Sequence, residues 1–295
     1  MNNVIKCNIC GRDGGVLYDL GNYKVRKCHG CKYSWVEEVF DEKILGGRDY
    51  YWAKGFFIDN EQLLRSVSKN EAQLIKKCAD KNGITGKKWL DIGSGFAYLI
   101  SEAGKMGYEV TGIEVNKETA DYVRSREKLN ILNSLISDVN LEKESFDIIT
   151  IFDVLEHLLD PQDAVLKGEK YLKKGGLLVI EVPDDNSLMR KIAALIYSFT
   201  FGKWSEFLRQ SFHNHPGGHR NGFSEHALRR MMKTDGFEVI AVKRVMIPYK
   251  LFVTDTIRKR HGINKVVYFV FPVLIYIFSI LLGMQNRVKI YARKI

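Results

Sequence analysis

The sequence predicts an α/β fold: a doubly wound, mostly parallel sheet with a small cysteine module ahead of it. Three observations carry this. Residues 88–96 (KWLDIGSGF) run from an apolar strand through a glycine-rich turn into a helical pattern. Strand-length apolar segments follow at 108–113, 131–136, 146–153 and 177–182, and helix-length stretches separate them. Such alternation is how parallel sheets are connected. Before all of this, Cys7, Cys10, Cys28 and Cys31 form two C-x-x-C pairs seventeen residues apart.

Taken in chain order, the first unit is residues 1–40. Four thiolates at this spacing close a tetrahedral zinc site with no open position, so the expected metal is structural. Residues 15–20 and 23–27 alternate like a short hairpin, and about forty residues need such a staple to hold a core. The expected unit is a zinc ribbon, with His29 a solvated turn residue. Residues 41–85 form a helical connector: Leu63, Leu64, Val67, Ala72, Leu74, Ile75 and Cys78 recur at helical spacing. Tyr50, Tyr51 and Trp52 are an aromatic cluster that either closes over a ligand or packs the ribbon onto the main unit. Residues 86–295 are that main unit, with an apolar insertion at about 262–284.

In the main unit, Gly93 and Gly95 let backbone N–H groups approach a ligand closely. Glu114 ends the second strand about 20 residues later, the spacing at which a doubly wound sheet offers a carboxylate to a ribose. Asp138 follows the third strand. Phe152 and Asp153 end the fourth, at the carboxyl edge where open α/β sheets bind ligands, and His157 comes just after. A glycine-rich loop holds His213, His215 and His219, and Ser224 then caps a helix.

At WLDIGSGFAYL (89–99) and FDVLEHLLDP (152–161) the chain resembles the class I S-adenosylmethionine-dependent methyltransferases. The resemblance covers about residues 86–245. It implies a Rossmann-like sheet with an antiparallel last strand, for which residues 287–294 are the candidate. It also implies S-adenosylmethionine as cofactor. Asp91, Gly93 and Gly95 would face its methionine end, Glu114 both ribose hydroxyls, and Asp138 the adenine amino group, with Phe152 and Asp153 lining the pocket. His219 and His157 are the candidate catalytic groups, since His219 matches a family histidine that faces the acceptor. Gly218 stands where related sugar C-methyltransferases have Glu, which favours O-methylation. Asp153, Glu156 and His157 resemble the E-x-x-E-H metal set of quinone-biosynthesis O-methyltransferases. Here the first acid is the shorter Asp, and metal binding stays open.

Charge locates the remaining expectations. Residues 243–294 hold eleven basic residues against Asp255, which accounts for the whole net charge of +10. These bases flank residues 266–284, nineteen residues without a charge. As a helix that stretch is about 28 Å long, close to a bilayer core. Because residues 287–294 must return to the sheet, a helix lying in one leaflet fits better than a crossing, and the apolar residues 192–204 could join it. No secretory segment opens the sequence, so the expected location is cytoplasmic and peripheral on the inner face of a membrane. The expected activity is O-methylation of a sugar or other small hydroxyl acceptor, including a lipid-linked glycan. A ribbon ahead of this fold also resembles certain ribosomal RNA methyltransferases. RNA methylation is therefore one alternative, and a non-catalytic zinc-ribbon binding module on a degenerate fold is another.

Overall fold

The computed structural model of the chain describes residues 6–37, 51–213, 218–252 and 265–295. Tyr50, His215, Asp255 and the basic run 258–260 lie outside the described residues. Strands β1 (Gly14–Asp19), β2 (Lys24–Cys28) and β3 (Ser34–Val36) come first, then helices α1 (Tyr51–Asp59) and α2 (Glu61–Lys81). The alternating region holds β4 (Lys88–Ile92), α3 (Tyr98–Lys105), β5 (Glu109–Glu114), α4 (Lys117–Glu127), β6 (Asn130–Asn133), β7 (Phe146–Phe152), α5 (Pro161–Tyr171) and β8 (Leu172–Pro183). After it come α6 (Leu188–Phe199), α7 (Glu206–Arg209), β9 (Asn221–Gly222), α8 (Glu225–Thr234), β10 (Phe237–Val245), α9 (Lys265–Leu281) and β11 (Arg287–Lys294).

Seven strands form one sheet in the order β10-β11-β8-β7-β4-β5-β6. β6, β5, β4, β7 and β8 pair in parallel. β11 enters between β8 and β10 and pairs antiparallel with both, as expected for the last strand. β7 is buried along all but its final residue because helices cover both faces of a parallel sheet. A deeply buried cation sits inside this sheet. Lys289 on β11 is 1% exposed, pairs with Glu181 of β8 at 2.8 Å and with Glu71 of α2, and lies 4.9 Å above the Phe152 ring. It fastens the connector helix to the sheet.

Two boundaries differ from the pattern reading. The third strand stops at Asn133 rather than reaching residue 136, because the Asn133 amide donates to the carbonyls of Glu114 and Val115 and turns the chain there. The fifth strand begins at Leu172, five residues ahead of Leu177. Gly175, at φ +77°, carries the strand through a register shift against β7 that leaves Gly175 and Gly176 inside it.

The ribbon is joined to the main unit through a shared sheet. β1, β2 and β3 form a meander, and β3 then pairs with β9 from the far part of the chain, Trp35 facing Asn221. Cys7, Cys28, Cys31 and Tyr33 are buried in the same core as β7 and β8. Between ribbon and sheet, α1 places Phe57 against Phe96 of the glycine turn, ring centroids 4.9 Å apart. The apolar insertion is α9, which carries Pro272 and contacts α6. Among the described residues, no helix is long and apolar enough to cross a membrane.

Candidate active site

The turn after β4 is built by conformation. Gly93 and Gly95 have φ of +75° and +51°, which side-chain-bearing residues rarely adopt. A Cβ on Gly93 would also lie 2.2 Å from Val154. The N–H groups of Gly93 and Ser94 both donate to the Ile113 carbonyl, tying the turn to the end of β5. Glu114 is buried there and accepts from the N–H groups of Gly95 (2.8 Å) and Asn116 (2.7 Å). Burial pushes its carboxyl up, although the hydrogen bonds from Asn116 and Gly95 pull the other way. Burial likewise pushes Asp91 up to about 7, against the hydroxyl it accepts from Thr150 at 2.5 Å and with the help of Glu114's charge. Two crowded carboxyls of this kind regain full ionisation when a cation enters beside them.

A cavity of about 130 Å³ opens at these strand ends, and its lining includes Gly93, Glu114, Ser134, Ser137, Asp153 and His157. Four of the predicted residues therefore share one wall. Asp91 and Gly95 are not in the lining; they shape it through Thr150 and Glu114. Asp138 is exposed and accepts from the Ser137 hydroxyl, while Phe152 is packed under Lys289. Ser134 and Ser137 were not singled out from sequence, because nothing in their pattern separates them from ordinary turn residues.

The loop after β7 carries the second half of the site. Asp153 takes a left-handed φ of +53° and turns outward to pair with Arg287 at 2.9 Å. The Asp153, Glu156 and His157 set is therefore not assembled. Glu156, His157 and His219 converge instead, with their ligating atoms all within 4.8 Å of one another. The Glu156 carboxylate is fully buried, and neither oxygen has a hydrogen-bond partner on another residue among the described ones. Burial, then the charge of Asp153, raises it to about 8, with Arg287 and Arg190 opposing. These three residues are the donor set that could take a divalent ion here. The ring centroids of His157 and His219 are 4.9 Å apart, and His213 lies 5.9 Å from His219. His157 Nδ1 is 3.1 Å from the Gly218 carbonyl, which can only accept. The neutral ring therefore carries its proton on Nδ1 and its lone pair on Nε2. His219 is held well below the usual imidazole range by burial, then by His157, Arg190, Arg287 and His213, so it is neutral at physiological pH.

Asn221 holds these pieces together, and pattern reading missed it. Its amide donates to the carbonyls of Leu155 (2.9 Å) and Leu158 (2.7 Å), and its oxygen accepts from the Tyr33 hydroxyl at 2.5 Å. The backbone N–H groups of Arg220 and Asn221 both donate to the Glu156 carbonyl. Ribbon, β7 loop and histidine loop thus meet at one buried side chain.

A family model described as a methyltransferase domain matches residues 62–242, more than half of the chain. A ubiquinone biosynthesis O-methyltransferase from Glaesserella parasuis serovar 5 is 35% identical over 109 residues, covering 34% of this chain and 46% of that protein. The protein of the same name from Vibrio atlanticus is 33% identical over 100 residues, covering 32% and 42%. The chain thus spans less than half the length of these curated relatives. Among solved structures, a possible histamine N-methyltransferase from Thermotoga maritima aligns with a TM-score of 0.54 at 16% identity, covering 86% of this chain and 100% of that one. An S-adenosylmethionine-dependent methyltransferase from Archaeoglobus fulgidus aligns at 0.52 and 17%, covering 81% and 99%. At such identities the shared feature is the fold.

The Asn221 arrangement has a measurable consequence. Asn221→Leu strands two buried carbonyls and a phenol, and each buried orphan costs about 1–3 kcal/mol. The variant should lose roughly 3 kcal/mol or more in urea unfolding. A midpoint equal to that of the parent chain would mean that the segment is held by something else.

Proposed function

The chain belongs to the methyltransferase-domain family, and from that premise we propose that it moves the methyl group of S-adenosylmethionine onto a hydroxyl oxygen of a small acceptor. The observation that carries this is the cavity lined by Gly93, Glu114 and His157, with buried carboxyls on one side and the His157 ring, backed by His219, on the other. The cofactor supplies an electrophilic methyl on a sulfonium cation. Asp91 and Glu114 suit it electrostatically, since both carboxyls are driven toward the neutral form in the bare site. Glu114 is the ribose acceptor of this reading, and the Gly93–Gly95 turn receives the methionine end. In this reading Asp138, next to Ser137 of the lining, takes the adenine edge and Asp153 the pocket wall, with Phe152 behind it against Lys289. The Nε2 lone pair of His157, with His219 beside it, takes the acceptor's proton as the new C–O bond forms. Gly218 in place of an acidic residue supports oxygen over carbon, and so does the similarity to ubiquinone biosynthesis O-methyltransferases. The ribbon next to the histidine loop supports a sugar or similar hydroxyl compound.

The four cysteines are the structural zinc site of this reading. Their Sγ atoms lie within 4.8 Å of one another, with pairs at 3.5 and 3.4 Å. A tetrahedral ion with Zn–S of about 2.3 Å requires about 3.8 Å between sulfurs. We further place the enzyme on the cytoplasmic face of a membrane, acting there on a lipid-linked glycan or a related acceptor. Phe199 at the end of α6 and Phe201 and Trp204 just after it are exposed, as are Ile277, Phe278 and Leu281 on α9, and the two helices touch. An apolar surface of this extent beside basic residues suits an anionic lipid surface.

Four outcomes are expected. Glu114→Ala should weaken S-adenosylhomocysteine binding by at least about tenfold in calorimetry, the scale of one lost charge-assisted contact; undiminished affinity counts against the ribose assignment. His157→Ala should lower turnover by about a hundredfold or more with cofactor affinity retained. That experiment runs on an acceptor screen with labelled cofactor, and label entering only RNA would overturn the small-acceptor reading. Atomic absorption should find one zinc per chain, absent in Cys10→Ser; a metal-free yet folded parent chain removes the zinc assignment. Co-sedimentation with vesicles containing anionic lipid should be lost in a Phe199→Asp, Phe201→Asp, Trp204→Ser triple variant. Equal sedimentation of parent and variant would refute the membrane surface.

A further inference from the structure

A second cavity, of about 170 Å³, lies where the ribbon meets α6. Leu17, Tyr18 and Lys27 line it from the ribbon, and Asp185, Arg190 and Lys191 from the segment entering α6. Its charge balance is uneven. Arg190 is 8% exposed, pairs with Asp185, donates to the Ser211 carbonyl at 3.3 Å and lies 4.7 Å from the centre of the Phe212 ring. It is locked in place and its carboxylate partner is already spent. Lys27 and Lys191 line the same space, and neither has an ion-pair partner among the described residues. Lys27 is half-buried. Desolvated cations that crowd one another cost free energy unless an anion sits between them.

The cavity's position gives the anion a role. Arg190 donates to the Ser211 carbonyl and packs on Phe212, the residue before His213, whose ring lies 5.9 Å from that of His219, so the cation that lines this cavity sits at the base of the histidine loop. Further along α6, Leu195 and Phe199 are exposed, one and two turns beyond Lys191. The ribbon supplies one lysine and the main unit supplies the other two cations, so the site exists only where the two units join.

We propose that this cavity is the acceptor's anion subsite, holding a phosphate or diphosphate ester through Lys27, Lys191 and Arg190 while the acceptor's hydroxyl reaches the histidine pair. The assignment rests on the methyl-transfer reading for its purpose, and on the cavity alone for its chemistry. A diphosphate reaches such a site from two sources, a nucleotide-linked or a prenyl-linked acceptor, and both present the same group to the lysines.

Calorimetry on the full chain tests this with inorganic pyrophosphate, uridine diphosphate and farnesyl diphosphate as probes, against parent protein and a Lys27→Gln, Lys191→Gln double variant. The parent should bind pyrophosphate, more weakly as salt rises. The double variant should lose about tenfold or more in affinity, as expected for two lost charge-assisted contacts. Retained S-adenosylhomocysteine binding shows that the variant is folded. Tighter binding of farnesyl diphosphate than of pyrophosphate assigns the prenyl source, and tighter binding of uridine diphosphate the nucleotide source. The proposal fails if the parent ignores pyrophosphate while binding S-adenosylhomocysteine, or if the double variant binds pyrophosphate as well as the parent does. Pyrophosphate binding without S-adenosylhomocysteine binding would remove the methyl-transfer reading and leave the anion subsite standing.

Discussion

One buried amide makes this structure a single site rather than three neighbouring pieces. Asn221 satisfies the carbonyls of Leu155 and Leu158 and accepts from Tyr33, and none of these groups has water to fall back on. In a dry setting a fully satisfied polar junction rigidifies what it joins, and a partly satisfied one is costly. The loop that carries Glu156 and His157 is therefore set by the same residue that aligns β9 with the ribbon. Position of the histidines, integrity of the cysteine module and packing of β7 are coupled through it.

Around this junction the molecule keeps several acids in strained electrostatic states. Asp91, Glu114, Glu156 and Glu181 are all driven upward by burial. Glu181 is compensated by Lys289, which lies inside the sheet. Asp91, Glu114 and Glu156 have no cation in direct contact among the described residues. Carboxyls left in this condition cluster where a ligand or proton is handled, because a stable core would not retain them. The difference between Glu181 and the other three separates architecture from chemistry more clearly than burial alone.

What could be read from the chain and what could not divides along sequence separation. The turn at Gly93 and Gly95, the acid at Glu114 and the strands around them are local: conformation and alternation show in consecutive residues. The antiparallel last strand was legible too, through its family resemblance. Asp153 was legible as a site residue but not in its orientation, because its left-handed backbone and its pairing with Arg287, 134 residues away, are set by packing. Asn221 looks like an ordinary loop polar residue until Tyr33, 188 residues distant, is brought to it. Lys289 meets Glu71 across 218 residues and reads in isolation as a surface lysine. Pocket walls were legible where one short segment makes them. The ribbon cavity, drawn from residues 17–27 and 185–212, was not.

The placement of β11 also dictates how the molecule can be made. It is an interior strand, yet it is synthesised after both of its neighbours. A chain emerging from the ribosome can pair β4, β5, β6, β7 and β8 in order, and then presents β8 with a bare edge until residues 287–294 follow. Unpaired edges and apolar helices are what nascent chains aggregate through. Until residues 287–294 follow, β8 and β10 each show an open edge, so closure of the sheet waits for its latest strand.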